Sequence, residues 1–125
     1  MPANEKRLRI LVVEDDAVIG ELLAEMLGEM GHDVCGVEAT EANAVLAAAR
    51  CHPDLMIVDA WLGLGSGVEA MSEICSHGFV PHVFISGQIA HVRMLRPNSV
   101  MIQKPFSELD LSLAVSRAMA APPPG

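Results

Sequence analysis

Short apolar runs alternate with segments of helical periodicity along almost the whole chain. The runs, rich in branched aliphatic residues, cover positions 8–13, 33–37, 54–58, 80–85 and 100–103, and the helical segments cover 16–30, 40–50, 68–75, 88–96 and 106–119. Apolar runs without strict alternation are typical of strands buried on both faces. With right-handed crossovers, the pattern predicts an α/β fold: a five-stranded parallel doubly wound sheet, flavodoxin-like, in strand order 2-1-3-4-5.

Local signals refine the helices. Asp16 and Thr40 stand where N-cap residues are expected, and Gly31 ends the first helical segment. Apolar residues recur at helical spacing in two of the helices. The predicted core face of the first helix is Val18, Leu22, Leu23, Met26, Leu27 and Met30, and that of the last helix is Leu109, Leu113, Val115 and Met119. We expect one domain over residues 8–120, with residues 1–7 as an N-terminal extension and residues 121–125 as a disordered proline-rich tail.

Charge and composition exclude several classes of partner. The 125 residues carry 8 Lys and Arg against 16 Asp and Glu, a net charge of −8, with one Trp and no Tyr. An acidic chain with few aromatic rings is poorly suited to bind nucleic acid directly. No apolar stretch is long enough for a signal peptide or a membrane span. Three widely spaced cysteines are interpreted as reduced thiols, which favours a cytoplasmic protein.

Polar residues follow four of the predicted strands, where parallel strands share one edge. Glu14 and Asp15 follow the first strand, Asp59 the third, Ser86 the fourth and Lys104 the fifth. Carboxylates held this close repel one another unless a cation lies between them, and their hard oxygens suit Mg²⁺. A phosphoryl group could then approach, with Lys104 and Ser86 contacting its oxygens and Asp59 as the attacking carboxylate.

Four strings carry a family resemblance: "ILVVEDD", "PDLMIVDAWL", "VFISG" and "KPF". In this order and spacing they resemble the CheY-like receiver domain of two-component response regulators, over residues 8–119. The resemblance implies that Asp59 is the phosphoacceptor, that Glu14, Asp15 and Asp59 bind Mg²⁺ or Mn²⁺, and that Ser86 and Lys104 contact the phosphoryl group. It also implies that the backbone carbonyl of Trp61 binds the metal.

Further properties follow from the same resemblance. It implies a stand-alone receiver, a monomer or weak dimer, that takes its phosphate from a histidine kinase or a histidine phosphotransfer protein and acts on a downstream protein. Such a protein is a switch rather than an enzyme: it catalyses its own phosphorylation from the donor and a slow autodephosphorylation. The resemblance also implies a cis bond between Lys104 and Pro105.

Some positions depart from the usual receiver pattern. Met101 stands where the family usually has a Tyr or Phe that moves with the hydroxyl residue, so the switch pair here is Ser86 and Met101. The segment 81–88 is similar to a subgroup of stand-alone receivers with a Pro-Phe-x-Phe-Ala-Thr-Gly-Tyr segment and no aromatic switch. The alternatives are a phosphorylation-independent scaffold and, less favoured, an aspartyl-nucleophile phosphohydrolase, whose Asp-x-Asp pattern Glu14-x-Asp16 does not match.

Overall fold

The computed structural model describes residues 6–122, which form seven strands and five helices. In chain order these are β1 (Arg9–Val13), α1 (Ala17–Glu29), β2 (Asp33–Glu38), α2 (Glu41–Cys51), β3 (Leu55–Asp59), β4 (Trp61–Leu62), β5 (Gly65–Ser66), α3 (Gly67–Cys75), β6 (His82–Ser86), α4 (Ile89–Leu95), β7 (Val100–Gln103) and α5 (Glu108–Ala120). All ten predicted elements are present. The prediction lacked β4 and β5, two short strands that form an antiparallel hairpin directly after β3.

Five strands form one parallel sheet in the order β2-β1-β3-β6-β7. When the two hairpin strands are left out of the numbering, this is the order 2-1-3-4-5, so the predicted flavodoxin-like topology is confirmed. The predicted caps are also present: Asp16 accepts backbone N–H bonds at the start of α1, and Thr40 does so at the start of α2.

Apolar side chains of the sheet divide between two core clusters, one on each face. Along β1, Leu11 and Val13 belong to the cluster beneath α2, α3 and α4, whereas Ile10 and Val12 belong to the cluster beneath α1 and α5. All four are fully buried. Because successive strand residues point to opposite faces, burial of both sets explains why the strands read as continuous apolar runs.

The apolar faces predicted for α1 and α5 are partly wrong. Val18 is 75% exposed and Leu109 is 66% exposed, and Leu22, Leu113 and Met119 also reach solvent. The buried side of α1 is formed by Gly20, Leu23 and Leu27, and that of α5 by Leu111, Ala114, Val115 and Ala118. The predictions of Leu23, Leu27 and Val115 are therefore confirmed, whereas the small buried residues Gly20, Ala114 and Ala118 were missed.

Helix α5 ends at Ala120, where the predicted tail begins, and residues 121–122 are exposed and outside any regular element. Residues 1–5 of the predicted extension and 123–125 of the predicted tail lie outside the described residues. Cys35, Cys51 and Cys75 are free thiols, as predicted. Between residues 6 and 122, no helix combines the length and apolar character needed to cross a membrane.

Candidate functional site

The polar residues singled out in the sequence meet at one edge of the sheet. Asp59 is the last residue of β3 and Ser86 the last residue of β6, while Glu14 directly follows β1 and Lys104 directly follows β7. Strand register aligns these ends: Asp59 pairs with Ile85, and Ser86 pairs with Gln103. The parallel sheet therefore gathers residues that are up to 90 positions apart in the sequence, from Glu14 to Lys104.

Lys104 joins two acidic side chains. Its Nζ lies 2.8 Å from Oδ2 of Asp59 and 3.0 Å from Oε1 of Glu14. Its backbone N–H donates to the carbonyl of Ser86 at 2.9 Å, which fixes the lysine at the end of the sheet. Burial by itself lowers the pKa of Lys104, but the hydrogen bond to Asp59 and the attraction of the Glu14 carboxylate outweigh it, so the pKa is raised and the ammonium stays charged.

Glu14 is a buried carboxylate with incomplete pairing. It is 2% exposed, and its Oε2 accepts the Asp16 backbone N–H at 3.1 Å. Among buried polar side-chain atoms in residues 6–122, its Oε1 alone meets no donor in hydrogen-bonding geometry, although the Lys104 ammonium lies close by. Burial, followed by the neighbouring Asp59, raises the pKa of Glu14 to about 7. The negative charge at this position is therefore undercompensated.

A divalent cation fits this arrangement. Glu14, Asp15 and Asp59 each offer a carboxylate oxygen, and these oxygens lie within 4.8 Å of one another. Asp15 is exposed and the other two are buried, so the cluster opens to solvent on one side. Three oxygen ligands with an open side match Mg²⁺, which keeps several waters in protein sites. A cation would also add a second positive partner for Glu14 Oε1, beside the Lys104 ammonium at 3.0 Å.

Two further predicted residues lie around Asp59. The Trp61 backbone N–H donates to Asp59 Oδ1 at 3.0 Å, while its ring is half-exposed and packs edge-on against His91. The Ser86 side chain is buried, and its Oγ accepts the Gln88 backbone N–H at 2.9 Å. An oxygen that accepts this bond still carries its own hydrogen for donation to another group.

Met101, predicted to replace the usual aromatic switch, lies in β7 at the edge of the sheet. It is partly buried and packs against the core cluster beneath α2, α3 and α4. Met101 therefore contributes to packing and brings no ring to this side of the pocket. The peptide bond between Lys104 and Pro105 is cis, as the resemblance implied.

Sequence reasoning missed two residues that shape the site. Glu41, the first residue of α2, accepts the Ser66 backbone N–H at 3.0 Å and so holds the hairpin next to Asp59. His91 in α4 contacts the Trp61 ring. Glu41 and Ser66 are 25 residues apart, and no motif or spacing links either pair. Only the tertiary arrangement shows these contacts.

Known proteins resemble this chain over nearly its whole length. A family model described as the response regulator receiver domain matches residues 10–116. The transcriptional regulatory protein PdtaR of Mycobacterium tuberculosis is 37% identical over 117 residues, which cover 90% of this chain and 57% of PdtaR. The phyllosphere-induced regulator PhyR of Methylorubrum extorquens is 32% identical over 123 residues, which cover 94% of this chain and 45% of PhyR.

A solved receiver-domain structure also resembles this chain. The solution structure of the receiver domain of PhyR from Erythrobacter litoralis superposes with a TM-score of 0.84 at 29% identity, and the match covers 93% of this chain and 95% of that one. The chain spans about half the length of the two curated relatives, so the match concerns their receiver portion. By its sequence, its sheet topology and its acidic pocket, the chain belongs to the response regulator receiver domain family.

Proposed function

We propose that this protein is a response regulator of a phosphorelay, with residues 8–120 as the receiver unit and Asp59 as its phosphoacceptor. The observation that carries the proposal is the position of the Asp59 carboxylate. It ends the central strand β3, next to the Lys104 ammonium at 2.8 Å and within 4.8 Å of two further acids. A carboxylate in this setting can attack phosphorus, because cationic groups reduce the charge repulsion.

Phosphoryl transfer from the donor to Asp59 needs no other reactant than a proton from solvent. An oxygen of Asp59 attacks the phosphorus of a phosphohistidine in line with the P–N bond, forming an O–P bond as the P–N bond breaks. The imidazole leaves with the electron pair and takes up a proton from solvent. Lys104 pairs with one phosphoryl oxygen, and the Ser86 hydroxyl donates to another. The product is an aspartyl phosphate.

The metal requirement follows from charge. Glu14, Asp15, Asp59 and the Trp61 backbone carbonyl would hold the ion, which is Mg²⁺ or Mn²⁺. When bound, the cation neutralises the acids and the incoming phosphoryl oxygens. Glu14 supports this role because its carboxylate is buried and shares the single Lys104 ammonium with Asp59. We expect the cation to bind before the phosphodonor.

The protein then acts through other proteins. A histidine kinase or a histidine phosphotransfer protein is the phosphate donor, and a downstream protein binds the phosphorylated form with altered affinity. This role is that of a cytoplasmic switch, a monomer or weak dimer, whose own catalysis is limited to self-phosphorylation and slow autodephosphorylation. The net charge of −8 supports protein partners rather than nucleic acid.

Intact-mass measurement tests the proposal. Purified protein is incubated with Mg²⁺ and phosphoramidate, a small phosphodonor, and we expect the mass to rise by one phosphoryl group. The gain disappears in Asp59→Asn and when EDTA removes the metal. Asp54→Asn is the matched control, since Asp54 precedes the same strand at its opposite end and accepts the Arg9 backbone N–H. That variant should be phosphorylated normally.

Other outcomes select the two alternatives. No mass gain from the small donor or from a phosphohistidine protein would favour a phosphorylation-independent scaffold. Continuous release of phosphate, with many turnovers per protein molecule, would favour an aspartyl-nucleophile phosphohydrolase. A normal gain in Asp59→Asn would place the phosphate elsewhere and overturn the proposal.

A further inference from the structure

Trp61 contacts both the phosphoacceptor and a helix. Its backbone N–H donates to Asp59 Oδ1 at 3.0 Å. Its ring meets the His91 ring edge-on, with centroids 5.0 Å apart and an interplanar angle of 83°. Because His91 lies in α4, one residue connects the Asp59 carboxylate to this helix. No other described aromatic pair includes a residue of α4.

Helix α4 has few other attachments. It has seven residues, and Val92 is the one that is buried. Its N-cap residue, Gln88, makes no side-chain capping bond, and the Gln88 backbone N–H instead reaches Ser86 Oγ. Met94 is 84% exposed, and Leu95 also reaches solvent. A helix with so little buried surface opens at low free-energy cost, so one ring contact can change its stability measurably.

Phosphorylation changes the hydrogen bond that Trp61 makes. In the free protein its N–H donates to a carboxylate, a charge-assisted bond that is stronger than one to a neutral acceptor. Once an oxygen of Asp59 is esterified to phosphorus, the carboxyl group no longer carries its own full charge. The hydrogen bond that holds the Trp61 backbone therefore weakens, and the Trp61 ring moves with the backbone. A contact that differs between the two states can shift the equilibrium between them.

We infer that the contact between Trp61 and His91 transmits the phosphorylation state of Asp59 to helix α4. His91 is thus a positioning residue that acts through Trp61 and does not touch the reacting atoms. This inference rests on the proposed function. The route lies on the hairpin side of the pocket, whereas Met101 on β7 packs into the core and offers no ring.

Hydrogen exchange of the α4 amides, in the full chain with Mg²⁺ and with or without excess phosphoramidate, tests the inference. In the wild type, we expect phosphorylation to change the exchange rates of residues 89–95 about threefold, the size of effect one edge-on aromatic contact supplies. His91→Ala should lose this response while gaining phosphate normally. His91→Phe should restore it, because it keeps a ring. Met94→Ala is the matched control on the same helix and should respond like the wild type.

Every other outcome of this experiment overturns either the inference or the proposed function. A full α4 response in His91→Ala would overturn the inference and leave the proposed function intact. An unresponsive α4 in the wild type, despite a full phosphoryl mass gain, would overturn it equally. Absence of that mass gain would remove the proposed function, and the inference with it. If His91→Ala unfolds α4 outright, Trp61→Leu decides, since it leaves the helix sequence unchanged: a retained response there overturns the inference.

The intrinsic fluorescence of the protein gives an independent readout. Trp61 is the only Trp and there is no Tyr, so the emission reports this ring alone. Phosphoramidate with Mg²⁺ should alter the emission of the wild type and of Met94→Ala. In His91→Ala, the unphosphorylated protein should already differ in emission from the wild type. An unchanged spectrum in that variant would show that the rings do not interact in solution and would contradict the inference.

Discussion

The acidic pocket and the α4 region face the same edge of the sheet but are held in different ways. In the pocket, Glu14, Asp59 and Lys104 make contacts of 2.8–3.1 Å with one another or with backbone groups, and the two acids are buried. Helix α4 relies on Val92, one backbone bond to Ser86 and the His91 ring. The proposed phosphoryl transfer thus depends on closely packed strand ends, whereas the proposed response belongs to a weakly anchored helix.

Loss of the lysine should have the largest effect on the pocket. Lys104→Met removes the positive charge 2.8 Å from Asp59 and 3.0 Å from Glu14, leaving the transferring phosphoryl group without its ammonium. We expect the phosphorylation rate to fall about 100-fold, as when one electrostatic contact is removed from an active site. Time-resolved intact mass with phosphoramidate measures it. Lys6→Met, an exposed lysine outside the pocket, serves as the control. A rate within twofold of wild type would show that Lys104 is structural.

A glycine behind the pocket should show how tightly this region is packed. In Gly67→Ala the new methyl group would collide with the Asp59 carbonyl oxygen and the Val58 side chain. We expect a loss of about 2–3 kcal/mol in the free energy of unfolding. Gly28→Ala is the matched control: nothing lies near its added methyl group, and α1 should gain about 0.5–1 kcal/mol. Urea unfolding compares the two, and equal effects would contradict the packing argument.

Met101 tests whether packing at β7 and chemistry in the pocket are separable. Met101→Ala removes a partly buried side chain from the core beneath α2, α3 and α4, and should cost about 1–2 kcal/mol of unfolding free energy. The phosphorylation rate should remain within twofold of wild type. In the described chain, the side-chain hydrogen bonds and ion pairs of Asp59, Ser86 and Lys104 do not involve Met101. A large loss of rate would show that β7 controls the pocket directly.

The smallest predicted effect is on the pH dependence of stability, and it comes from His82, which lies outside both regions. Burial lowers the pKa of His82 in the folded protein. A hydrogen bond from its Nδ1 to the Val80 carbonyl acts in the opposite direction but has the smaller effect. The unfolded chain then binds a proton more readily, so this residue's contribution to stability is present above pH 6.5 and is lost as pH falls through the lowered folded pKa. Urea unfolding at pH 5 and pH 7.5 should show a smaller difference in His82→Gln. An identical difference in both proteins would refute the assignment.

The fold and the pocket could be predicted because both depend on short-range patterns. Residues that directly follow buried parallel strands must meet at one sheet edge, so Glu14, Asp59, Ser86 and Lys104 could be placed together from spacing alone. The buried faces of α1 and α5 could be predicted only in part. Leu23, Leu27 and Val115 were identified, but the small buried residues of these helices were not, because Gly and Ala give a weaker apolar signal than the exposed Val18 and Leu109. The link between Trp61 and His91 depends on side-chain directions in two separate loop-connected elements. No periodicity encodes that contact.

The bond from Ser66 to Glu41 has a consequence for genetics. Helix α2 contributes no group to the acidic pocket of Glu14, Asp15 and Asp59, yet its first carboxylate holds the hairpin that begins two residues after Asp59. Loss-of-signalling alleles should therefore include substitutions at codon 41 as well as at the pocket positions. In a mutational scan, such an allele would differ from substitutions in the hydrophobic core, because the protein would accumulate to normal levels in the cell while its signalling output fell.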